Sequence, residues 1–246
     1  MNDLEQSCLE QFRKDLVQFE IKLTQQQEEQ FIRYYEMLTE WNEVMNLTAI
    51  TEFEEVLKKH FVDSLSLVKA WDAIREKRVS VIDVGTGAGF PGIPLKIAFP
   101  QIRLTLLDSL QKRIRFLNEL IAELGLQEVE TIHGRAEDFA APSKKREQYD
   151  LCVSRAVANL STLSELCLPY VKEGGLFISY KSEKVAEEAK TAEHAISVLG
   201  GKIEGQKEFF LPDSDIYRNL FVIRKIRNTP KKYPRKAGAP AKDPLK

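Results

Sequence analysis

The chain is poor in the residues that build disulfide or metal frameworks. It has three cysteines, Cys8, Cys152 and Cys167, an odd number with no Cys-x-x-Cys pair, and two of them stand in apolar segments. Reduced, buried thiols and a reducing compartment follow. The three histidines, His60, His133 and His194, are scattered without metal-ligand spacing, so no metal is implied. No stretch approaches the ~18 apolar residues of a membrane span. The first 25 residues carry Asp3, Glu5, Glu10, Asp15 and Glu20 and no apolar run, which argues against a signal peptide. A soluble, cytoplasmic protein is expected. An excess of one charge is also missing: 36 Lys and Arg stand against 37 Asp and Glu, a net charge of -1 that gives, as an average, no reason to expect a polyanionic partner.

The distribution of charge says otherwise. Between Arg224 and Lys246 there are nine basic residues and one acid, Asp243, a net +8 that leaves -9 on the other 223 residues. A second basic cluster is Lys144-Lys145-Arg146. With 246 residues, 43% hydrophobic and 30% charged, the chain is long enough to bury a sizeable core and too charged to be fibrous or membrane-embedded.

Apolar periodicity divides the chain. Phe31, Tyr34 and Tyr35, Leu38, Trp41 and Met45 recur at three- and four-residue steps, as on one face of a helix. After a break at residues 46–51, Phe53, Val56 and Leu57, His60 and Phe61, and Leu65 form a second helical pattern, which Thr51 is placed to cap. Residues 1–77 read as an N-terminal helical extension. The period then changes. Short apolar runs suited to buried parallel strands begin at Val79, Arg103, Glu128, Asp150 and Leu176, and helical stretches lie between them. The clearest is Leu110, Ile114, Leu117, Ile121 and Leu124. Alternating strands and helices predict a doubly wound, mostly parallel α/β domain over 78–227, since right-handed crossovers need the intervening helices. The last two strand-like runs, Lys202 to Leu211 and Asn219 to Ile226, are joined by a short loop and should pair antiparallel at one edge. Residues 228–246 hold four prolines among basic residues, predicting an extended or mobile tail.

The chemistry concentrates in residues 81–92, Val-Ile-Asp-Val-Gly-Thr-Gly-Ala-Gly-Phe-Pro-Gly. A strand ends, glycines allow a tight turn beside a ligand, and Pro91 and Pro94 suit the first turn of a helix. Gly87-x-Gly89-x-x-Gly92 formally matches a dinucleotide fingerprint, which keeps an NAD-dependent oxidoreductase open. Asp83 within the strand end, followed by alternate glycines at Gly85, Gly87 and Gly89, favours a nucleoside cofactor without a pyrophosphate. Asp108 ends the next strand 19 residues beyond Gly89, where a carboxylate can accept both ribose hydroxyls. Its other reading is a helix N-terminal anion.

Together with Leu106-Leu107-Asp108-Ser109, Arg135-Ala136-Glu137, Ser154-Arg155-Ala156, Tyr233-Pro234-Arg235-Lys236-Ala237-Gly238, Asn46-Leu47-Thr48 and His60-Phe61-Val62-Asp63-Ser64-Leu65, this loop resembles the bacterial small-subunit rRNA methyltransferase G family, also called glucose-inhibited division protein B. The resemblance covers nearly the whole chain. It implies a seven-stranded class I methyltransferase fold with an antiparallel edge strand, S-adenosyl-L-methionine as cofactor, and methylation of N7 of a guanine in the 530 loop of 16S rRNA, position 527 in RNA numbering. It also implies that Gly85, Gly87 and Phe90 line the cofactor cleft, that Ala136 and Glu137 meet the adenine, and that Arg155 borders the cofactor near the reacting methyl.

Methyl transfer to N7 needs no general base, because N7 presents a lone pair and carries no proton. This is consistent with a chain in which no His/Asp or Cys/His constellation stands out. Arg155 and Lys181, at strand ends, are candidates for a guanine or phosphate contact. Arg235 and the basic tail are candidates for neutralising phosphates of 16S rRNA or the small ribosomal subunit. A monomer is expected. A non-catalytic RNA-binding module on the same fold is the remaining alternative.

Overall fold

The computed structural model describes residues 3–155, 158–182 and 185–245. Ala156 of the Ser154-Arg155-Ala156 run therefore lies outside the described residues. Seven strands, β1 (Ser80–Val84), β2 (Arg103–Asp108), β3 (Val129–His133), β4 (Tyr149–Ser154), β5 (Val171–Lys181), β6 (Gly201–Phe210) and β7 (Tyr217–Lys225), form one sheet in the order β3-β2-β1-β4-β5-β7-β6. The first five are parallel. β7 runs antiparallel between β5 and β6, so the outermost strand of the hairpin is β6. Because β7 is reversed, its first residues stand beside the carboxyl end of β5, where Lys181 pairs with Asn219.

Side-chain alternation along each strand feeds two cores, one on each face of the sheet. Val81, Leu106, Val153 and Ile178 point into one, with helices α1 (Asp3–Val17), α2 (Gln25–Met45), α5 (Gly92–Ala98) and α6 (Gln111–Glu123). Ile82, Leu107, Cys152 and Phe177 point into the other, with α7 (Ala136–Phe139), α8 (Leu160–Cys167) and α9 (Ala186–Val198). The N-terminal extension is therefore half of a core. Phe12, Phe31 and Phe61 are buried and pack on one another, with ring centroids 4.9–6.4 Å apart. Each such ring contributes roughly 1.5–3 kcal/mol of burial.

Helix α2 starts at a capping box in which Thr24 and Gln27 satisfy each other's backbone amides. The cap expected of Thr51 does not form: Glu52 occupies the N-cap of α3 (Phe53–Val56) without a side-chain bond. That helix continues into a π-helical turn, Leu57–Val62, then the short α4 (Asp63–Leu65) and a 3-10 turn to Lys69.

The basic tail differs most from expectation. It is not extended but docked, ending in α10 (Ala239–Lys242). Tyr233 is buried in the second core. The Arg146 guanidinium donates to the carbonyls of Thr229, Pro230 and Tyr233, and Thr162 donates to the carbonyl of Pro240. Arg224 pairs with Glu204, Lys225 is fully buried beside Glu147, and Arg235 pairs with Glu165, leaving Arg227, Lys231, Lys232, Lys236 and Lys242 exposed among the described residues of the segment. Proline-rich composition cannot build a core alone, but here the segment borrows one.

Candidate active site

The glycine loop leaves β1 at the carboxyl edge of the sheet, the edge on which ligands of open α/β sheets bind. Gly85 donates to the carbonyl of Leu107 at 2.9 Å, and the amides of Gly89 and Phe90 donate to Thr86, which closes the turn. Gly92, the first residue of α5, must be glycine for space: a Cβ there would stand 2.5 Å from a Leu106 methyl and 3.0 Å from the Asp83 carboxylate. Gly87 is different. Its φ of +62° favours glycine, yet a Cβ would meet nothing within 4 Å, so the loop is open on that side.

Asp83 is fully buried. Its Oδ2 accepts from the Thr86 hydroxyl (2.7 Å) and the Gly92 amide (2.9 Å), while Oδ1 has no hydrogen-bond partner among the described residues. Burial pushes its carboxyl up to about 6. Asp108, also buried, accepts from Gly87 N (2.9 Å), Leu110 N (2.9 Å) and Arg113 Nη1 (3.1 Å). A carboxylate offers about four lone-pair sites, so room remains for one ribose hydroxyl, and for a second where the half-exposed Arg113 moves away. The ribose reading and the helix N-terminal reading of Asp108 are thus compatible.

Phe90 packs with Tyr34 (centroids 5.3 Å apart) and His60 (4.4 Å), and the Arg155 guanidinium lies 5.0 Å from its ring. With the ring so enclosed, what Phe90 offers a ligand is chiefly the loop backbone. Burial, reinforced by the charge of Arg155, pushes the His60 imidazole down to about 3, so the ring is neutral. Arg155 donates to Asp63 Oδ2 (2.9 Å) and to the carbonyl of Lys59 (3.1 Å), with His60 Nδ1 3.1 Å from its Nη2. All three of these partners come from the N-terminal extension.

Ala136 opens the short α7 beyond β3, and its carbonyl accepts from the Tyr170 hydroxyl. Glu137 is half-buried and accepts from the backbone amide of Gly238 (2.7 Å), so the residue expected beside the adenine also holds the tail. Lys181 donates to the Ala158 carbonyl and to Glu188, each at 2.8 Å. Arg235 does not face the cleft cations. Its Nε and Nη2 are bound to Glu165, and Nη2 also to the carbonyl of Asp243, which leaves Nη1, 3.5 Å from the exposed Asp243 carboxylate, as the part of the guanidinium open to a phosphate.

Beside the glycine loop a cavity of about 820 Å³ opens, lined by Lys59, His60, Asp63, Arg155, Lys181 and Arg218 among others. The structure brings Gly85, Gly87, Phe90, Asp108, Arg155 and Lys181 to one sheet edge; Arg235 stands apart from this cavity. Asp63, though within the His60-to-Leu65 run, and Arg218 were given no site role by the sequence reading. Their signal was faint: an acid and two serines at residues 63–66 within an otherwise apolar helical run, and an arginine at the start of a strand.

Residues 27–216 match the family model described as rRNA small subunit methyltransferase G. The ribosomal RNA small subunit methyltransferase G of Lachnoclostridium phytofermentans is 56% identical over 223 residues, 91% of each chain. That of Acetivibrio thermocellus is 52% identical over 227 residues, 92% of each. Among solved structures, M. jannaschii TYW2 in complex with AdoMet superposes with a TM-score of 0.52 at 15% identity, over 67% of this chain and 77% of the other, a likeness of fold.

Proposed function

The chain belongs to the rRNA small subunit methyltransferase G family, and from that we propose that it methylates N7 of the guanine at position 527, in the 530 loop of 16S rRNA. It is an S-adenosyl-L-methionine-dependent rRNA methyltransferase. The NAD-dependent oxidoreductase reading of the Gly87-x-Gly89-x-x-Gly92 match gives way to that membership. We further take the enzyme to act as a monomer in the cytoplasm on rRNA or the assembled subunit. No helix among the described residues is long and apolar enough to cross a membrane.

One observation carries the reading: the glycine loop and the cavity, which is lined by Lys59, Arg155, Lys181 and Arg218 with the acids Asp63, Glu187 and Glu188, share the carboxyl edge of the sheet, with Arg155 between them. The residues fit a nucleoside cofactor. Asp83 Oδ1 is a buried acceptor awaiting a donor, Gly87 leaves its side of the loop open, and Asp108 keeps a free lone-pair site for ribose. When bound, S-adenosyl-L-methionine supplies a methyl on a positively charged sulfur. The chain's own contribution is alignment. The loop backbone and Asp108 fix one partner, the cavity holds the other, and bringing the two together in the reactive orientation accounts for most of what such a site must do. No side chain has to remove a proton from N7. Asp83 is therefore not a base here; its polar contacts hold the loop together.

Titration calorimetry tests the cofactor assignment. S-adenosylhomocysteine should bind and NADH should not. Binding of NADH alone would overturn it.

A further inference from the structure

Asp63 is an acid buried in a place where nothing in the methyl-transfer chemistry asks for one. It is 2% exposed, and both oxygens are used: Oδ1 accepts from Arg218 Nε at 2.7 Å and Oδ2 from Arg155 Nη1 at 2.9 Å. A buried ion cluster of this kind is a poor source of stability, because desolvation cancels much of the attraction. What it provides is geometry. The three residues come from distant parts of the chain, the extension, the end of β4 and the start of β7, and they meet only on the wall of the cavity.

The backbone around Asp63 serves the same end. The π-helical turn Leu57–Val62 directly precedes it, and such turns often mark functional sites. From that turn the Lys59 carbonyl and His60 Nδ1 complete the partners of Arg155. Arg155 is thereby committed, lying over Phe90 beside the glycine loop. Arg218 is not. Its Nε faces Asp63, its Nη1 donates to the carbonyl of Tyr217 at 2.9 Å, and its Nη2 has no hydrogen-bond partner among the described residues. Its side chain is 15% exposed and lines the cavity.

The spatial order is therefore glycine loop, Phe90, Arg155, Asp63, Arg218. A nucleotide whose base must approach the methyl donor places that base toward Phe90 and Arg155, and its sugar-phosphate toward the far end. We propose that Arg218 grips a backbone phosphate of the target nucleotide or its neighbour, and that Asp63 is a positioning residue that orients the guanidinium for this contact. The proposal rests on the rRNA methyltransferase reading. It assigns recognition to a strand and an extension that lie outside the cofactor half of the sheet.

The test compares wild type, Arg218→Gln, Arg218→Lys and Asp63→Asn as full chains. KM and kcat would be measured on undermethylated small-subunit RNA over a potassium chloride series, with S-adenosylhomocysteine calorimetry as the control for an intact cofactor half. For Arg218→Gln, KM for RNA should rise about tenfold while kcat stays within about twofold, as expected of a lost charge-assisted contact. The log-log salt slope of RNA binding should flatten by about 0.7–0.9, the value of one phosphate contact. Arg218→Lys should restore the slope and part of the KM. Asp63→Asn should raise KM as Arg218→Gln does, its additional effect through Arg155 showing in kcat or S-adenosylhomocysteine affinity, and combining the two should raise KM little further. Unchanged KM and slope in Arg218→Gln with intact S-adenosylhomocysteine binding would overturn the proposal. A changed KM with an unchanged slope would do the same, because it would place Arg218 on the base. Should Arg218→Gln not fold, Arg218→Lys decides: an unaltered KM refutes the grip. If wild type transfers no methyl to this RNA, the functional reading fails, and the salt slope of simple RNA binding still judges Arg218.

Discussion

Replacing Arg235 with alanine separates the substrate contact that the sequence suggests for it from the structural anchor that the fold makes of it. In the structure its guanidinium pairs with Glu165, a carboxylate with no exposure at all, at 2.7 Å from Nη2 and 2.9 Å from Nε. The same carboxylate holds Arg235 above the usual guanidinium range. Removing one partner of a buried pair costs roughly 3–5 kcal/mol, because the other charge is stranded. Two features move Arg235→Ala to the low end. The arginine side chain is 25% exposed, and Glu165 keeps the hydrogen bond from the backbone amide of residue 235 at 2.8 Å. We expect a loss of about 2–3 kcal/mol after that discount for solvent screening. For a chain of this size each kcal/mol lowers Tm by about 2–4 °C, so the drop should be about 4–12 °C. Thermal unfolding followed by circular dichroism measures it. A second substitution, Glu165→Gln, should recover at least half the loss in the Arg235→Ala background, since no buried charge is then left unpaired. A Tm change under about 1 °C together with weakened RNA binding would refute the structural role and return Arg235 to the substrate.

Other consequences are accessible to simpler measurements. Gly87→Ala should weaken S-adenosylhomocysteine binding about tenfold or more while costing only about 1 kcal/mol of stability, because its Cβ meets no protein atom and only the positive φ opposes it. Gly92→Ala should instead destabilise the fold by about 1–3 kcal/mol through its collision with Leu106 and Asp83; equal effects of the two on stability would contradict the loop geometry. The His60 ring, held down to about 3, should show no protonation shift by NMR between pH 8 and 5, and a midpoint above pH 5 would contradict its burial beside Arg155. The sign of the linked stability follows. With its folded-state value below the unfolded one, His60 favours the folded state above about pH 6.5 and loses that contribution as pH falls. Asp83, pushed up to about 6, opposes this, because its protonated form is the one the folded state prefers. Stability should therefore change less between pH 6.5 and 4 than His60 alone dictates, and the His60→Gln variant should gain relative stability as pH falls across that range.

The α/β sheet was legible because its signals are local. Each parallel strand is a short apolar run, and the glycine loop sits where β1 ends, so strand, turn and helix are read within a dozen residues of one another. The same holds for α6, whose Ile114 and Leu117 are buried as their spacing requires. What was not legible depends on partners far along the chain. The tail reads as mobile from its prolines and lysines, yet Arg235 finds Glu165 and the Gly238 amide finds Glu137, 70 and 101 residues upstream. Its apparent +8 overstates the free charge, since Arg224, Lys225 and Arg235 are spent on acids of the domain. Asp63 and Arg218 lie 155 residues apart, and no pattern within either segment announces the other. The extension likewise reads as an appendage, although its aromatic residues complete one core and its π-helical turn walls the cavity.

The most direct measurement of the central claim is the position of the transferred methyl. Small subunits or small-subunit RNA lacking the modification would be incubated with the enzyme and methyl-labelled S-adenosyl-L-methionine, and the label mapped by mass spectrometry of RNA fragments and by N7-specific strand cleavage. The expected result is one methyl, on N7 of the guanine at position 527. Label at another atom or another nucleotide, or none from enzyme that binds S-adenosylhomocysteine, would contradict it.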